Sequence, residues 1–213
     1  MRITVLGATG GTGRQVVERA LEAGHHVTAV VRDPARLRLR LGADAPRLDV
    51  LTADVMDPEA LTAAVAGRDA VVSALGSAPR TRATVCGDGA RSAIAAMRTT
   101  GTRRLVVVTA SGHVVDDGDG PFTRALVKPV LRRVLAGNFA DFVRTDRIVR
   151  DSGLDWTIMR PPRLTDGAPR PYRTATDRNV RGGITLARAD LARAILAALA
   201  DPASVRHTIG LGY

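Results

Sequence analysis

The chain has 213 residues, 45% hydrophobic and 24% charged, a composition that predicts a single compact domain with a sizeable core. Its net charge of +10 raises the question of a nucleic-acid partner, but the basic residues are spread along the chain and only 3% of residues are aromatic, so we expect none. No apolar run approaches the roughly 18 residues that span a bilayer, and the single cysteine, Cys86, lacks a disulfide partner, so we expect a cytoplasmic protein without a membrane span.

The first three elements are predicted to form a βαβ unit. The β-branched run Arg2–Leu6 is predicted to be a strand that ends at Gly7. Apolar residues then recur at helical spacing, at Val16, Val17, Ala20 and Leu21. Gly24 is a natural end for this helix, and His26–Val31 is predicted to be the next strand.

The alternation of strands and helices continues to the end of the chain. Further strands are predicted at Arg47–Val55, Asp69–Leu75, Arg104–Ala110 and Asp155–Arg160, with a short last strand at about 207–211. Helices are predicted at Pro58–Val65, Thr84–Met97, about Phe122–Ser152, and Asp190–Leu199. The segment 160–173, rich in Pro and Arg, is predicted to be a functional loop. Apolar strands separated by helices indicate an α/β fold, with a parallel sheet covered on both faces.

The stretch VLGATGGTG, residues 5–13, predicts an anion-binding turn. Gly7, Gly10 and Gly13 lie between a strand and a helix, where glycines permit a tight turn, close approach of the backbone to a pyrophosphate, and close helix packing. The free N–H groups and the positive dipole end of the helix favour an anion there. Thr9 and Thr12 either add hydroxyl donors or cap the helix. The alternative is a glycine turn without a ligand.

The end of the second strand bears on which dinucleotide would bind. NAD-binding folds commonly place an acid there on the ribose 2′-hydroxyl, whereas NADP-binding folds place an arginine. The strand ends with VVRDP, so Arg32 occupies that position and Arg36 can reach the same phosphate. NADP(H) is therefore favoured over NAD(H), although Asp33 leaves NAD(H) open.

Two later strand ends complete the predicted cofactor site. Asp54 and Val55 follow the third strand, where an adenine ring would rest. Leu75 and Gly76 follow the fourth strand, beside the ribose and the nicotinamide. For Asp54, a local helix-cap contact or a solvated loop is the alternative.

Several motifs in collinear order carry a resemblance to a known family. They are GATGGTGRQVVERALEAGHHVTAVVRDPARL, ADV, DAVVSALG, GARSAIAAM, SGLDWTIMRPPRL and RADLARAIL. With them the chain resembles the atypical short-chain dehydrogenase/reductases, and most of all the NAD(P)H-binding subgroup of biliverdin reductase B, also called flavin reductase, with the related NmrA-like proteins. The resemblance implies one Rossmann domain over residues 1–213, with a doubly wound, mostly parallel sheet and helices on both faces.

The resemblance also implies where the cofactor and substrate lie. It implies cofactor contacts at Thr9, Gly10, Thr12, Arg32, Arg36, Asp54, Val55, Gly76, Thr109, Pro161, Pro162 and Leu164. The glycine turn and the fourth strand end add Gly7, Gly11, Gly13 and Leu75. The substrate would stack over the nicotinamide, between substrate-side loops around 111–121 and 160–180.

The chain departs from the family in its acid–base groups. Most short-chain dehydrogenases use a Tyr-x-x-x-Lys pair, in which the lysine lowers the pKa of the tyrosine. Neither Tyr172 nor Tyr213 is followed by lysine at that spacing, and Arg147 stands near the expected lysine. Since arginine does not deprotonate in proteins, alcohol dehydrogenation by this pair is disfavoured.

Two further departures concern the substrate. The biliverdin and flavin reductases carry a serine straight after the threonine of the fifth strand, where this chain has Ala110, with Ser111 one place later. They carry a histidine two helices on, where this chain has Asp146. Both differences disfavour biliverdin as the substrate.

These residues predict an NADPH-dependent reductase that transfers hydride to a flavin, a quinone or a similar conjugated acceptor, because such rings need no tyrosine acid. Thr109 and Ser111 would donate hydrogen bonds to the acceptor, and His113 would deliver a proton. The alternatives are backbone bonding for the hydroxyls and an ordinary loop position for His113. No metal spacing is present.

A rival function is an NmrA-like sensor that binds the dinucleotide without turnover, which suits the missing tyrosine equally. A relative of the epimerases is less favoured because those enzymes need the tyrosine. We expect a monomer or a weak homodimer that acts on a small molecule.

Overall fold

A computed structural model describes residues 1–40, 45–76, 84–120, 125, 126, 128, 133 and 136–213. The strands in this part of the chain are β1 (Arg2–Leu6), β2 (His26–Val31), β3 (Leu48–Thr52), β4 (Ala70–Ser73), β5 (Arg104–Val108), β6 (Asp155–Arg160), β7 (Arg163–Thr165), β8 (Arg173–Thr176), β9 (Thr185–Ala187) and β10 (His207–Gly212). The α-helices with bounds in the same ranges are α1 (Gly11–Glu22), α2 (Pro58–Val65), α3 (Val85–Thr100), α4 (Ala136–Arg150) and α5 (Arg188–Ala200). None of the helices in these ranges is long and apolar enough to cross a membrane.

Eight strands form one sheet in the order β3-β2-β1-β4-β5-β6-β10-β8. Neighbouring strands are parallel throughout, except that β8 runs antiparallel to β10 at one edge. The short strands β7 and β9 pair in parallel as a separate sheet. The predicted doubly wound, mostly parallel Rossmann fold is therefore confirmed.

The central strands of the sheet are buried on both faces, because their apolar side chains point alternately to one face and to the other. On β5, Val106 and Val108 belong to one apolar cluster, whereas Leu105 and Val107 belong to the other. Helices α1 and α5 cover the first cluster with Val16, Val17, Ala20, Leu191 and Ile195. Helices α2, α3 and α4 cover the second with Leu61, Ala93, Met97 and Val149. This arrangement explains why the strands lack an alternating polar pattern.

The order of the strands reverses between β1 and β4. Leu6 at the end of β1 is in register with Ser73 of β4, which is in register with Val107 of β5. The carboxyl ends of these parallel strands therefore lie side by side. Ligands of open α/β sheets bind in the crevice outside such a reversal point.

The structure differs from the prediction around 160–173. That segment was predicted to be a loop, but it contains β7, and β8 begins at its last residue, Arg173. The prediction is wrong there because β7 is held by main-chain pairing with β9, a partner that residue spacing does not reveal. Of the helix predicted at 122–152, α4 is observed from Ala136, and most of the residues before it lie outside the described part of the chain.

A buried carboxylate fastens the carboxyl-terminal part of the chain. Asp190 is 0% exposed, and its Oδ2 accepts hydrogen bonds from the Tyr213 hydroxyl at 2.7 Å and the Arg170 N–H at 2.9 Å. Arg193 forms an ion pair with its other oxygen. The N–H of Ala187 donates to the Tyr213 hydroxyl at 2.9 Å. The carboxylate thus joins β9, the start of α5 and the end of β10.

Replacing the Tyr213 hydroxyl tests this network. We expect Tyr213→Phe to lower the free energy of unfolding by about 1–2 kcal/mol, because the phenol makes two hydrogen bonds that the ring alone cannot replace. Tyr172→Phe is the matched control, since the Tyr172 hydroxyl makes no hydrogen bond within the described residues, and we expect a change below about 0.5 kcal/mol. Urea denaturation measures both. Equal effects in the two variants would contradict the role of the network.

Candidate functional site

The turn after β1 requires glycine at positions 7 and 13. Gly7 has a φ of +80°, and a Cβ there would lie 2.7 Å from the carbonyl oxygen of Ala74. A Cβ on Gly13 would lie 2.1 Å from the carbonyl oxygen of Gly7. The turn is closed by a hydrogen bond from the Gly10 N–H to that same oxygen at 2.9 Å. The end of β1 therefore touches the end of β4, and α1 starts directly against the turn.

The start of α1 offers free N–H groups. Its N-cap residue, Gly10, provides no side-chain cap, and no acidic residue lies in the first turn. Within the described residues neither Thr9 nor Thr12 caps the helix, so their hydroxyls are available as donors, and Thr9, Gly10 and Gly11 are exposed. The unpaired N–H groups of a helix start, together with its dipole, favour an anion.

The acid and the arginines after β2 have different environments. Asp33 caps a short 3₁₀ turn over Pro34–Arg36, and its Oδ1 accepts the Ala35 N–H at 3.0 Å. Arg32 and Arg36 are exposed, and within the described residues their side chains form no ion pair. The carboxylate is thus engaged with its own backbone, whereas the guanidinium groups face solvent.

Apolar side chains that follow β3 and β4 pack against α3. Val55 is buried and Leu75 is half-buried. A Cβ on Gly89 of α3 would lie 2.4 Å from Leu75 Cδ1 and 3.8 Å from Val55 Cγ2, so both side chains rest on that glycine. Asp54 is exposed, and its Oδ1 accepts the Met56 N–H at 3.0 Å, which is a local turn contact. Gly76 is exposed at the end of the described segment.

A buried hydroxyl without a partner lies at the end of β5. Thr109 is 4% exposed, and its Oγ1 has no hydrogen-bond partner among the described residues. Its N–H donates to the Met159 carbonyl at 2.9 Å, and the Ser111 N–H donates to the Pro161 carbonyl at 2.8 Å. The segments after β5 and β6 are therefore joined by their backbones. An unsatisfied buried hydroxyl costs about 1–3 kcal/mol, so this one is suited to a hydrogen bond from a ligand.

Apolar side chains lie in the segment after β6. Pro161 is buried, while Pro162 and Leu164 are half-buried. Leu164 also contacts the apolar cluster under α1 and α5. These side chains provide an apolar surface next to the segment after β5.

His113 lies in a buried ionic cluster with Asp146 and Arg160. Its side chain is 1% exposed, and its Nε2 lies 3.0 Å from Asp146 Oδ2 on α4. The same carboxylate oxygen accepts a hydrogen bond from the Arg160 guanidinium at the end of β6. The rings of Phe139 and Phe142 pack against the imidazole. His113 is therefore placed to hold the segments after β5 and β6 together.

Charge stabilises Asp146 in this cluster. Burial alone would raise the pKa of the Asp146 carboxyl, but the hydrogen bond from His113 and the positive charge of Arg160 outweigh it and hold that pKa below its ordinary value. Asp146 and Arg160 were not predicted as site residues. They lie far apart in sequence from His113, so spacing gave no signal for their contact.

The first of the two loops predicted to lie on the substrate side is held in place by hydrogen bonds. Asp119 Oδ2 accepts hydrogen bonds from the Asp116 N–H, the Asn179 amide and the buried Lys128 ammonium. The Asn179 N–H donates to Asp116 Oδ2 at 3.0 Å, and its amide also donates to the Val114 carbonyl. The residues between Ser111 and Gly120 are therefore fastened to the segment between β8 and β9. The described ranges contain no group of three or more His, Cys, Asp and Glu side chains that could hold a metal ion.

One arginine beside the glycine turn was also missed. Arg188, the first residue of α5, lies against Gly11, since a Cβ on that glycine would be 2.8 Å from Arg188 Cδ and Nε. The two residues come from opposite ends of the chain. Only the packing of α1 against α5 brings them together.

A protein family described as NAD(P)H-binding matches residues 7–202 of the chain. The uncharacterized protein YwnB of Bacillus subtilis is 28% identical over 216 aligned positions, which cover 95% of this chain and 93% of YwnB. Two other curated relatives, from Arabidopsis thaliana and Zea mays, are longer, and the alignments span 61% and 26% of their lengths.

Solved structures share the fold. A short-chain dehydrogenase/reductase from Veillonella parvula in complex with NADP has a TM-score of 0.83 at 22% identity, covering 100% of this chain and 94% of that one. A Streptococcus pneumoniae protein, provisionally described as an NADH-flavin reductase, has a TM-score of 0.78 at 24% identity, covering 100% and 99%. At these identities the likeness shows the fold alone.

Removing the charge of Asp146 tests the buried cluster. We expect Asp146→Asn to lower the free energy of unfolding at neutral pH by about 3 kcal/mol, because Arg160 loses its buried counter-charge. Since the pKa of Asp146 is lowered by folding, its contribution is present above about pH 4 and is lost as pH falls through the folded pKa.

Urea denaturation at a series of pH values measures the gap in the free energy of unfolding between the wild type and this variant. We expect the gap to narrow below about pH 4. Asp151→Asn, at an exposed position just after α4, is the control and should show little gap at any pH. A gap for Asp146→Asn that does not depend on pH would show that the carboxylate charge is unimportant.

Proposed function

The chain belongs to the NAD(P)H-binding family, and from this membership we propose that it is an NADPH-dependent reductase that transfers hydride to a flavin, a quinone or a similar conjugated ring. The observation that carries the choice of acceptor is that neither tyrosine is followed by a lysine at the spacing of the usual pair. The Tyr213 hydroxyl donates to Asp190 and accepts from the Ala187 N–H, and burial raises the pKa of the Tyr172 hydroxyl, which makes it a poorer acid. A conjugated ring suits such a site because its proton can come from solvent.

The residues present fit a dinucleotide. The turn after β1 has no room for a Cβ at Gly7 or at Gly13, and the free N–H groups at the start of α1 suit the diphosphate of a dinucleotide. The unpartnered Thr109 hydroxyl suits a hydrogen bond near the nicotinamide end. When bound, the reduced nicotinamide supplies the hydride.

The chain's own contribution is orientation. Thr109 and Ser111 donate hydrogen bonds beside the reacting ring, and Pro161, Pro162 and Leu164 limit the space on the opposite side. Asp146 holds both His113 and Arg160, so the segments at the ends of β5 and β6 stay in a fixed arrangement. His113 is a positioning residue in this proposal, because its ring is buried and bonded to Asp146. Positioning of two reactants accounts for a large share of rate enhancement in reactions of this kind.

The charges after β2 support NADP(H) over NAD(H). Asp33, the acid that would bind a ribose 2′-hydroxyl, is engaged by the Ala35 N–H. Arg32 and Arg36 are exposed and can approach a 2′-phosphate. The NADP-bound neighbour from Veillonella parvula is in keeping with this choice, while the pneumococcal neighbour described with NADH and flavin supports the type of acceptor.

The proposal is tested by following NADPH absorbance in the near ultraviolet with purified protein, first alone, then with FMN, then with a small quinone, and with NADH in parallel. We expect oxidation well above the protein-free rate. Gly13→Ala is the inactive control, since its Cβ would collide with the Gly7 carbonyl. Tight NADPH binding without turnover would instead indicate the NmrA-like sensor, and absence of binding would overturn both functions.

Thr109→Val separates ligand binding from stability. We expect it to weaken NADPH binding about tenfold, while the free protein stays as stable as the wild type or gains stability, because an unpaired hydroxyl is removed. Thr157→Val is the matched control, since the Thr157 hydroxyl donates to the Ser204 carbonyl at 2.7 Å. It should lose about 1 kcal/mol of stability without a change in affinity. Calorimetric titration and thermal unfolding distinguish the two patterns.

Arg32→Ala tests the choice of cofactor. We expect it to weaken NADPH binding about tenfold, the loss of one charge-assisted hydrogen-bond partner, and to leave NADH binding within about twofold. Titration of both cofactors into the same variant measures the ratio. An unchanged preference would show that Arg32 does not contact the 2′-phosphate.

A further inference from the structure

The side chain of Arg188 crosses the first turn of α1. A Cβ on Gly11 would lie 2.8 Å from both Cδ and Nε of Arg188, so the arginine occupies the space that a larger residue would fill. This space borders the N–H groups that Gly10 leaves uncapped. A positive side chain from α5 therefore lies beside the positive end of α1.

Among the described residues, the guanidinium of Arg188 forms one ion pair, with Asp166. Its Nη1 lies 2.8 Å from Asp166 Oδ1, just after β7. The Asp166 side chain is 82% exposed and that of Arg188 is 29% exposed. Ion pairs this open to solvent contribute little because water screens them. The guanidinium can therefore change partners at small cost.

We propose that Arg188 binds the diphosphate of the dinucleotide and that Asp166 competes for it when the dinucleotide is absent. The inference rests on the dinucleotide-binding function proposed above. A diphosphate at the start of α1 would lie beside Nε and the free terminal nitrogen of Arg188, and charge-assisted hydrogen bonds from arginine to phosphate are strong. The exchange also connects the cofactor to the segment after β7, because bound diphosphate releases Asp166.

The diphosphate contact can be separated from the 2′-phosphate contact by the choice of probe. ADP-ribose contains the diphosphate without the 2′-phosphate, and adenosine 2′-monophosphate contains the reverse. We expect Arg188→Ala to weaken NADPH and ADP-ribose about tenfold and adenosine 2′-monophosphate less than twofold, as charge-assisted contacts of this kind predict. Arg32→Ala should instead weaken NADPH and adenosine 2′-monophosphate about tenfold and leave ADP-ribose within about twofold. Competition calorimetry against NADPH measures all three probes.

Two further variants keep the test specific. Arg181→Ala removes one exposed positive charge from the segment between β8 and β9, and it should leave ADP-ribose binding unchanged. Asp166→Asn removes the competitor at an exposed position, so it folds normally and should tighten ADP-ribose about twofold by simple competition. Thermal unfolding of each variant checks that the fold is retained.

The outcomes distinguish the two proposals. If the wild type binds NADPH but Arg188→Ala binds ADP-ribose equally well, this inference is wrong and the proposed function stands. Equal weakening of ADP-ribose and adenosine 2′-monophosphate would also overturn it, since that pattern indicates a general effect of charge. If the wild type binds none of the probes, the proposed function itself fails.

Discussion

The approach of Gly7 to the Ala74 carbonyl is the constraint on which the candidate site depends. A Cβ would lie 2.7 Å from that oxygen, so the ends of β1 and β4 can meet only at a residue without a side chain. Their meeting sets where α1 begins, and the uncapped start of α1 faces the crevice created by the reversal of strand order. The free N–H groups at the start of α1, which suit an anion, are thus a result of backbone packing.

One carboxylate joins the segments at the ends of β5 and β6. Asp146 receives hydrogen bonds from His113, which follows β5, and from Arg160, which ends β6. The backbone bond from Ser111 to Pro161 joins the same two segments closer to the crevice. Because the buried charges are paired, this polar cluster can lie among apolar side chains. The segments after β5 and β6 are therefore kept in a fixed arrangement.

Local patterns account for what the sequence predicts well. The run Arg2–Leu6, the helix after it and the strand His26–Val31 have clear periodicity and end at glycines, and they appear at nearly the predicted bounds. The glycine turn was predictable for the same reason. The contacts of Asp146 and Arg188 were not, because they join residues from distant segments. The strand β7 was missed because three residues paired with β9 carry no periodic signal.

The anchoring of the loop after β5 bears on the acceptor proposed above. Asp116, Asp119, Asn179 and Lys128 form its hydrogen bonds in the free protein. A rim that is already ordered loses little conformational entropy when a ligand arrives, so affinity comes from fit rather than from closure. Under the proposed function, a preordered loop of this kind favours rigid, planar acceptors. Flexible molecules gain no wrapping contacts in return for the freedom they lose.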